Sequence, residues 1–503
     1  MERDCPCRPG SGLNTMRTDV NTAMNTPTNS AFRELMDVRA RPDNGVADIT
    51  GADPVFSTRF KVAETGAGVL AAIGVAVSDL WEMKTGRRQA TGIDVRHAGA
   101  AINSFAYLQN GHGDGTYETV PDSPAAQVGY QISQPFATRD DRWFQPHFGI
   151  AHLKDRMLGV LKCEATPESI AAAIRKWDAQ TLEDAIAEAN ACGGMVRDNA
   201  EWLAHPHGKA LAAQPVVEIE KIGDSAPEPL PTDGPPLAGL RVLDLTRILA
   251  GPVAARTFAE HGADVLMVAA KGMPQIKKFV IDLSHGKRSC YLNLNEAMEA
   301  AQLRQLVRSG DVFSQGYRPG VLAARGFGPA ELAALRPGLI YTSINCYGQH
   351  GPLQDRAGWE QVAQAMVGIS YENGHQNGHQ IRHGNGGDKP ALLPVPACDY
   401  ITGYLGAYGT LLALARRAVE GGSYHVKVSL CQTGMFLYRQ GRVDYGANDI
   451  GLSEAEALPL QMTAESVYGP IRHLAPVIKF SETRPQWSNP PPALGGDAPA
   501  WLS

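Results

Sequence analysis

The apolar period of the chain starts late. Residues 1–54 are rich in Asn, Thr, Asp, Arg and Gly and carry no apolar repeat, so a largely unstructured N-terminal segment is expected, with Met16 and Met24 as alternative starts. From Phe56 the pattern changes. Gly66–Trp81 reads as a small-residue helix that packs closely on neighbours, and Ile93–Val95 as a short strand. Thr181 and Asp184 resemble a capping box opening a helix that stops before Gly193 and Gly194. Five prolines then fall between Ile222 and Leu237, at 227, 229, 231, 235 and 236, which predicts a stiff linker. Beyond it, Arg241–Leu245 reads as a buried strand, Pro252–His261 as a helix and Ala263–Val268 as the next strand. That order is a βαβ unit and implies a parallel sheet, with 311–314 and 339–345 as further strands. The pattern divides the chain into 1–54, a partial unit at 55–221, the Pro-rich linker at 222–236 and an α/β unit at 237–503.

One pattern occurs twice. Glu64-x3-Gly68-x5-Gly74 matches Asp399-x3-Gly403-x5-Gly409 without a gap, and each helix then leads to a glycine, Gly86 or Gly421, and a short apolar strand. Two copies do not make a solenoid. They predict a partial duplication, with half a fold before the linker and half after it.

Composition narrows the function classes. Hydrophobic residues make up 44% of the 503 positions and charged residues 19%, a globular balance. A net charge of −6 argues against nucleic acid or an anionic membrane surface as the main partner. The longest apolar run, Ala67–Val77, is too short to span a bilayer, and no basic-then-apolar stretch opens the chain. Eight cysteines, with only Cys5 and Cys7 close together and no CxxC, are not a disulfide framework. A reduced, cytoplasmic protein is expected.

The first βα turn, Thr246–Pro252, has no G-x-G-x-x-G, so the pyrophosphate cradle of a dinucleotide site is missing, and no P-loop occurs either. His375, His379 and His383 have ligand-like spacing, but their Asn-Gly-rich surroundings are turn formers, and a solvated loop is the expected state. Asp399 stands before a helix expected at Thr402–Arg417. An aspartate there usually caps the first turn. Here the flank Pro394–Cys398 is apolar and would bury the carboxylate, while the helix N-terminus would keep it ionised, the state a nucleophile needs. Glu360 is either a surface acid or a second site acid. Lys271, Lys287, Arg288 and Arg318 are expected in loops beside strands, where most such residues face solvent but several converging at strand ends could hold a polyphosphate.

Together these motifs resemble a known group. Leu237–Pro252 (LAGLRVLDLTRILAGP) is similar to the opening of the class III CoA-transferases, the group containing formyl-CoA transferase, carnitine CoA-transferase and α-methylacyl-CoA racemase. Gly262–Val265, Gly286–Ser289, Tyr317–Gly320, Tyr347–Pro352, Asp399–Gly403, Arg472–Pro476 and Trp501–Leu502 resemble it in order and spacing. The segment 55–220 resembles later parts of the same family: Lys84–Gln89 and Ile93–Val95 the strand after the nucleophile helix, and Asp141–Trp143 onward the small domain. One set of parts is thus distributed across the linker.

The resemblance implies a Rossmann-like parallel sheet with flanking helices plus a smaller α+β domain, and a homodimer, interlocked in the family. It makes Asp399 the nucleophile and its counterpart Glu64 non-catalytic. It places coenzyme A against Leu249, Ala250, Lys271, Leu292, Asn293, Asn295, Tyr317, Arg318, Trp359 and Glu360. No tightly bound cofactor is implied: acyl-CoA and a small carboxylic acid are substrates, with no nucleic acid or membrane partner. An arginine of formyl-CoA transferase falls on Ala324, beside Arg325, and a glutamine on Leu249, which argues against formyl and oxalyl groups. Two other readings remain. A 2-methylacyl-CoA racemase needs a histidine where this chain has Trp359, and decay after duplication would leave a non-catalytic CoA-binding subunit.

Overall fold

The computed structural model describes residues 29–41, 45–376, 389–445 and 451–502. Cys5, Cys7, Met16, Met24, His379 and His383 lie outside the described residues.

Order begins earlier than the missing apolar period suggests. Helix α1 (Ser30–Arg39) is capped by the Asn29 side chain and buries Ala31, Phe32 and Leu35, and Asp48–Thr50 is a strand. A short amphipathic helix with one apolar face needs a partner surface to persist. It finds one on α2 (Val62–Thr85), where Gly68 leaves room for its first turn. By length and composition α2, which contains the Ala67–Val77 run, is apolar enough to cross a membrane. In this fold 94% of its most apolar window is buried inside the protein.

A small unit follows. Its three short strands, Phe136–Ala137, Trp143–Pro146 and Gly193–Met195, form an antiparallel sheet, and helices Ala151–Leu161, Pro167–Ile174 and Ala179–Glu188 close a separate apolar cluster on one side of it. The last of these helices starts at Ala179 with Asp178 at its cap position, two residues before the expected box at Thr181.

The main sheet then takes shape from β1 (Glu218–Gly223), β2 (Arg241–Leu245), α3 (Ala250–Glu260), β3 (Asp264–Ala269), β4 (Lys287–Tyr291), β5 (Val312–Gln315), β6 (Ile340–Asn345), α4 (Glu360–Met366), α5 (Ala397–Glu420), β7 (Ser423–Ser429) and α6 (Leu430–Arg439). Spatially the strands run β4-β3-β2-β5-β6-β7-β1. β2 through β7 are parallel, and β1 closes the edge antiparallel to β7. Helices cover both faces, so strands such as Val312–Gln315 are buried along their whole length. β1 crosses the expected boundary at 221/222. The Pro-rich stretch beyond it is tied down: Lys84 donates to the Asp233 and Pro235 carbonyls, and Glu228 pairs with Arg336.

α2 and α5 stand at a constant offset. Their first residues, Val62 and Ala397, and their last, Thr85 and Glu420, each differ by 335, as do the starts of the following helices, Val95 and Leu430. Both following helices are capped from the preceding strand, by Asp94 and by Ser429. The two long helices pack together, and residues from both halves of the chain share one core.

Candidate functional site

Strand order reverses between β2 and β5, and in parallel sheets a crevice opens beyond the carboxyl ends of the strands at such a point. Leu249 and Ala250 follow β2, Lys271 follows β3, Leu292, Asn293 and Asn295 follow β4, and Tyr317 and Arg318 follow β5. All of them therefore lie at one end of the sheet. Lys271, Asn293, Asn295 and Arg318 are exposed, Tyr317 is half-buried, and Leu249, Ala250 and Leu292 are buried. The other cations are committed elsewhere. Lys287 is buried and gives its ammonium to Asp244 at 2.9 Å and to the Pro252 carbonyl, while Arg288 is paired with Asp264. Neither is free to hold a polyphosphate, because strand β4 turns one inward and the other onto its neighbour.

Asp399 is the third residue of α5, within the helix rather than ahead of it, and only 7% exposed. It does not cap the helix: Pro396 holds that position and has no side chain to offer. The uncovered N–H groups of the first turn are taken by Glu360. Cys398 N–H donates to Glu360 Oε1 at 3.2 Å and Asp399 N–H to Oε2 at 2.5 Å. Gln364, one turn along α4, donates to Glu360 Oε1 at 2.7 Å. Two buried carboxylates consequently stand side by side. Burial first, and then each other's charge, push Asp399 well above the usual carboxylate range. Burial also pushes Glu360 up to about 7, against the hydrogen bonds it accepts. The expectation that the helix terminus alone keeps Asp399 ionised is thus replaced by a shared site for charge, in which Glu360 holds the hydrogen bonds.

The nucleophile candidate touches the crevice through its helix. A Cβ on Gly403, one turn after Asp399, would stand 2.3 Å from the Ala250 carbonyl, so the second turn of α5 is in contact with the start of α3. On another side, Tyr400 OH lies 3.0 Å from Ser104 Oγ, which donates to buried Asp282, itself paired with Arg256. Cys346, Cys398 and Cys431 are buried around the carboxylates; burial holds the Cys346 and Cys398 thiols up and therefore neutral. All six described cysteines are free.

The small unit completes the surroundings. Arg356 pairs with Glu183, which also holds Arg197, and the Arg197 N–H donates to the Ala365 carbonyl of α4. Arg318 donates to the Asp355 carbonyl at 3.1 Å and reaches Asn190 of the small unit at 3.4 Å. Trp359, half-buried, stacks on His147 with ring centroids 4.2 Å apart. Sequence reasoning did not single out Gln364 or His147. The i, i+4 spacing of Glu360 and Gln364 on one helix was readable; the approach of His147 across 212 positions of chain, to Trp359, was not.

Three observations give Glu64 a different setting from its counterpart. Its own N–H donates to Asp53 at 2.8 Å, its carboxylate accepts from Asp53 N–H, and Lys61 neutralises it at 2.9 Å. An acid thus caps the first turn of both helices, Asp53 that of α2 and Glu360 that of α5. His375 lies in the helix Ile369–Gln376, where a loop was expected, its ring against Tyr371. Among the described residues no cluster of histidine, cysteine and acid suited to a metal occurs.

The sequence profile of CoA-transferase family III matches residues 237–457. An acyl-CoA transferase of Gibberella moniliformis is 31% identical over 420 residues, 72% of this chain and 72% of that protein. The chain belongs to CoA-transferase family III. An acetyl-coenzyme A transferase, nodX, of Hypoxylon pulicicidum is 33% identical to this family member over 61% of the chain, which spans 54% of the nodX length. Rv3272 of Mycobacterium tuberculosis, a solved structure, is 27% identical over 41% of this chain and 57% of its own, with a TM-score of 0.36. The chain therefore spans about half to three quarters of the length of these relatives.

Proposed function

We propose that this chain moves coenzyme A from an acyl-CoA donor to a carboxylic acid, with Asp399 as the covalent carrier. The observation that carries the reading is the buried Asp399, next to Glu360 in the first turn of a helix whose second turn touches the start of α3.

The Asp399 carboxylate attacks the thioester carbonyl, expelling the CoA thiolate and forming an acyl-aspartyl anhydride. The thiolate returns to the aspartyl carbonyl, releasing the first acid and leaving an aspartyl-CoA thioester. The acceptor carboxylate then attacks that thioester, and the thiolate attacks the acyl carbonyl of the second anhydride, which frees Asp399. Splitting the exchange in this way replaces one hard step with easier ones. Glu360 contributes by repulsion: a like charge beside the nucleophile raises its basicity. Lys271 and Arg318 meet the nucleotide phosphates, while Leu249, Ala250, Leu292, Asn293, Asn295 and Tyr317 line the crevice. The small unit around Phe136–Met195 and the sheet unit of 237–503 supply the two sides of one site. A homodimer in a reduced, cytoplasmic compartment fits the free cysteines.

Purified protein supplied with a panel of acyl-CoA donors and acids such as succinate, with the CoA products read by mass spectrometry, tests the reading. New acyl-CoA that depends on both partners supports it; no exchange with any pair counts against it. A racemase reading gains one observation, the histidine beside Trp359. Loss of an α-deuterium from a 2-methylacyl-CoA with no acceptor acid would favour that alternative.

A further inference from the structure

The inner face of the small sheet carries polar groups that nothing among the described residues satisfies. In the strand Trp143–Pro146, Phe144 points into the small unit's own apolar cluster. Gln145 pairs with Gly194, and a Cβ on Gly194 would meet Met366 and Val362 of α4, so the alternate face looks toward the helix that begins with Glu360. Gln145 is 0% exposed and His147, on the same face two residues on, is 3% exposed. The Gln145 amide nitrogen donates to the Pro146 carbonyl at 2.8 Å, which fixes its oxygen as the free end. That oxygen and both ring nitrogens of His147 have no hydrogen-bond partner among the described residues. Burial pushes His147 down to about 3, so its ring is neutral at pH 7 and offers one donor and one acceptor. The backbone N–H of His147 donates to the Cys192 carbonyl, holding the residue to the sheet while its ring stacks on Trp359.

A pair of buried, unsatisfied polar side chains packed against the residue that precedes Glu360 has chemical content. Native proteins rarely leave such groups without a partner, and a site built to hydrogen-bond a substrate hydroxyl discriminates sharply against the analogue that lacks it. Among the described residues no lysine or arginine is bonded to Gln145 or His147, and the Gln145 oxygen would repel an anion.

We propose that Gln145 and His147 form the polar wall of the acyl subsite and select an uncharged, hydroxyl-bearing acyl group, the hydroxyl donating to Gln145 Oε1 or bonding a ring nitrogen of His147. This deepens the transferase reading and rests on it for the placement of the acyl group beside Asp399. The specificity-determining residues then come from before the linker, and the carboxylates from after it.

The test compares 3-hydroxybutyryl-CoA, butyryl-CoA and succinyl-CoA as donors for the wild type, His147→Phe and Gln145→Leu. Phenylalanine keeps the stack on Trp359 and leucine keeps the volume, so each removes polar atoms and little else. The wild type is expected to prefer 3-hydroxybutyryl-CoA to butyryl-CoA by about tenfold or more in kcat/KM. Each variant should bring that ratio close to one. A wild-type ratio near one, a ratio untouched by both substitutions, or succinyl-CoA as the best donor would overturn the proposal. Calorimetric binding of the same three thioesters gives the ratio independently of turnover. Absence of turnover with all three therefore counts against the transferase reading, while the binding ratio still decides the subsite.

Discussion

The backbone N–H of Asp399 donates to Glu360 Oε2 at 2.5 Å, across 39 residues of chain. Through this contact Glu360 caps the helix that carries Asp399 and also sets the charge beside it. The two carboxyls titrate as a pair, so their apparent values belong to both.

The pH dependence follows from this pair. Both groups are raised in the folded protein, Glu360 to about 7 and Asp399 well above the usual carboxylate range. A raised acid binds more protons folded than unfolded, so its stabilising contribution is fully present below the unfolded value, roughly 4, and is lost as pH rises through the folded value. Free-enzyme stability is expected to fall between about pH 4 and 7, while kcat/KM rises with pH as the pair gives up its proton. Glu360→Gln removes the repulsion and should shift the rising limb of kcat/KM to lower pH. A pH–rate profile of both proteins checks this, and an unmoved limb would refute the coupling.

Cations at the end of the sheet should separate into two kinds. Lys271→Ala is expected to leave stability within about 0.5 kcal/mol, raise KM for acyl-CoA and weaken its salt dependence, because an exposed lysine has only the ligand's phosphates to lose. Lys287→Met leaves buried Asp244 unpaired and should cost about 3–5 kcal/mol. Denaturant melts and Michaelis constants across a salt series distinguish the two.

Contact between the second turn of α5 and the start of α3 depends on Gly403. A methyl there meets the Ala250 carbonyl at 2.3 Å, a backbone atom that cannot swing away. Gly403→Ala should destabilise by about 1–3 kcal/mol, and any activity that survives should show a raised acyl-CoA KM. Denaturant melts and kinetics on the soluble variant check both.

The front copy is expected to be structural. Glu64→Ala breaks the exchange of hydrogen bonds with Asp53 and the ion pair with Lys61, so a loss of about 1 kcal/mol is expected, with kcat unchanged. A kcat that falls as far as it does in Asp399→Ala would show that the front copy is reactive.

Much of this arrangement was legible in the sequence because local rules agree there. Arg241–Leu245 and the helix after it read as βαβ, and the parallel sheet follows. The glycine spacing shared by Glu64 and Asp399 reappears as two helices of equal length at a constant offset. The residues around α1 were missed because their apolar period is too short to show without the surface of α2 that buries it. Lys287 resembled a surface cation, since sequence does not say which way a strand residue turns; its partner Asp244 is set by the pairing of β2, β3 and β4. Placement of His147 on Trp359 depends on how the small unit docks, which no local pattern encodes.

Asp399 as a carrier of coenzyme A is tested most directly by trapping. Hydroxylamine added during turnover with an acyl-CoA, followed by peptide mass spectrometry, should yield a hydroxamate at Asp399, dependent on the thioester and absent from Asp399→Asn. Active exchange with Asp399 unmodified, or with the label on another residue, would contradict the account.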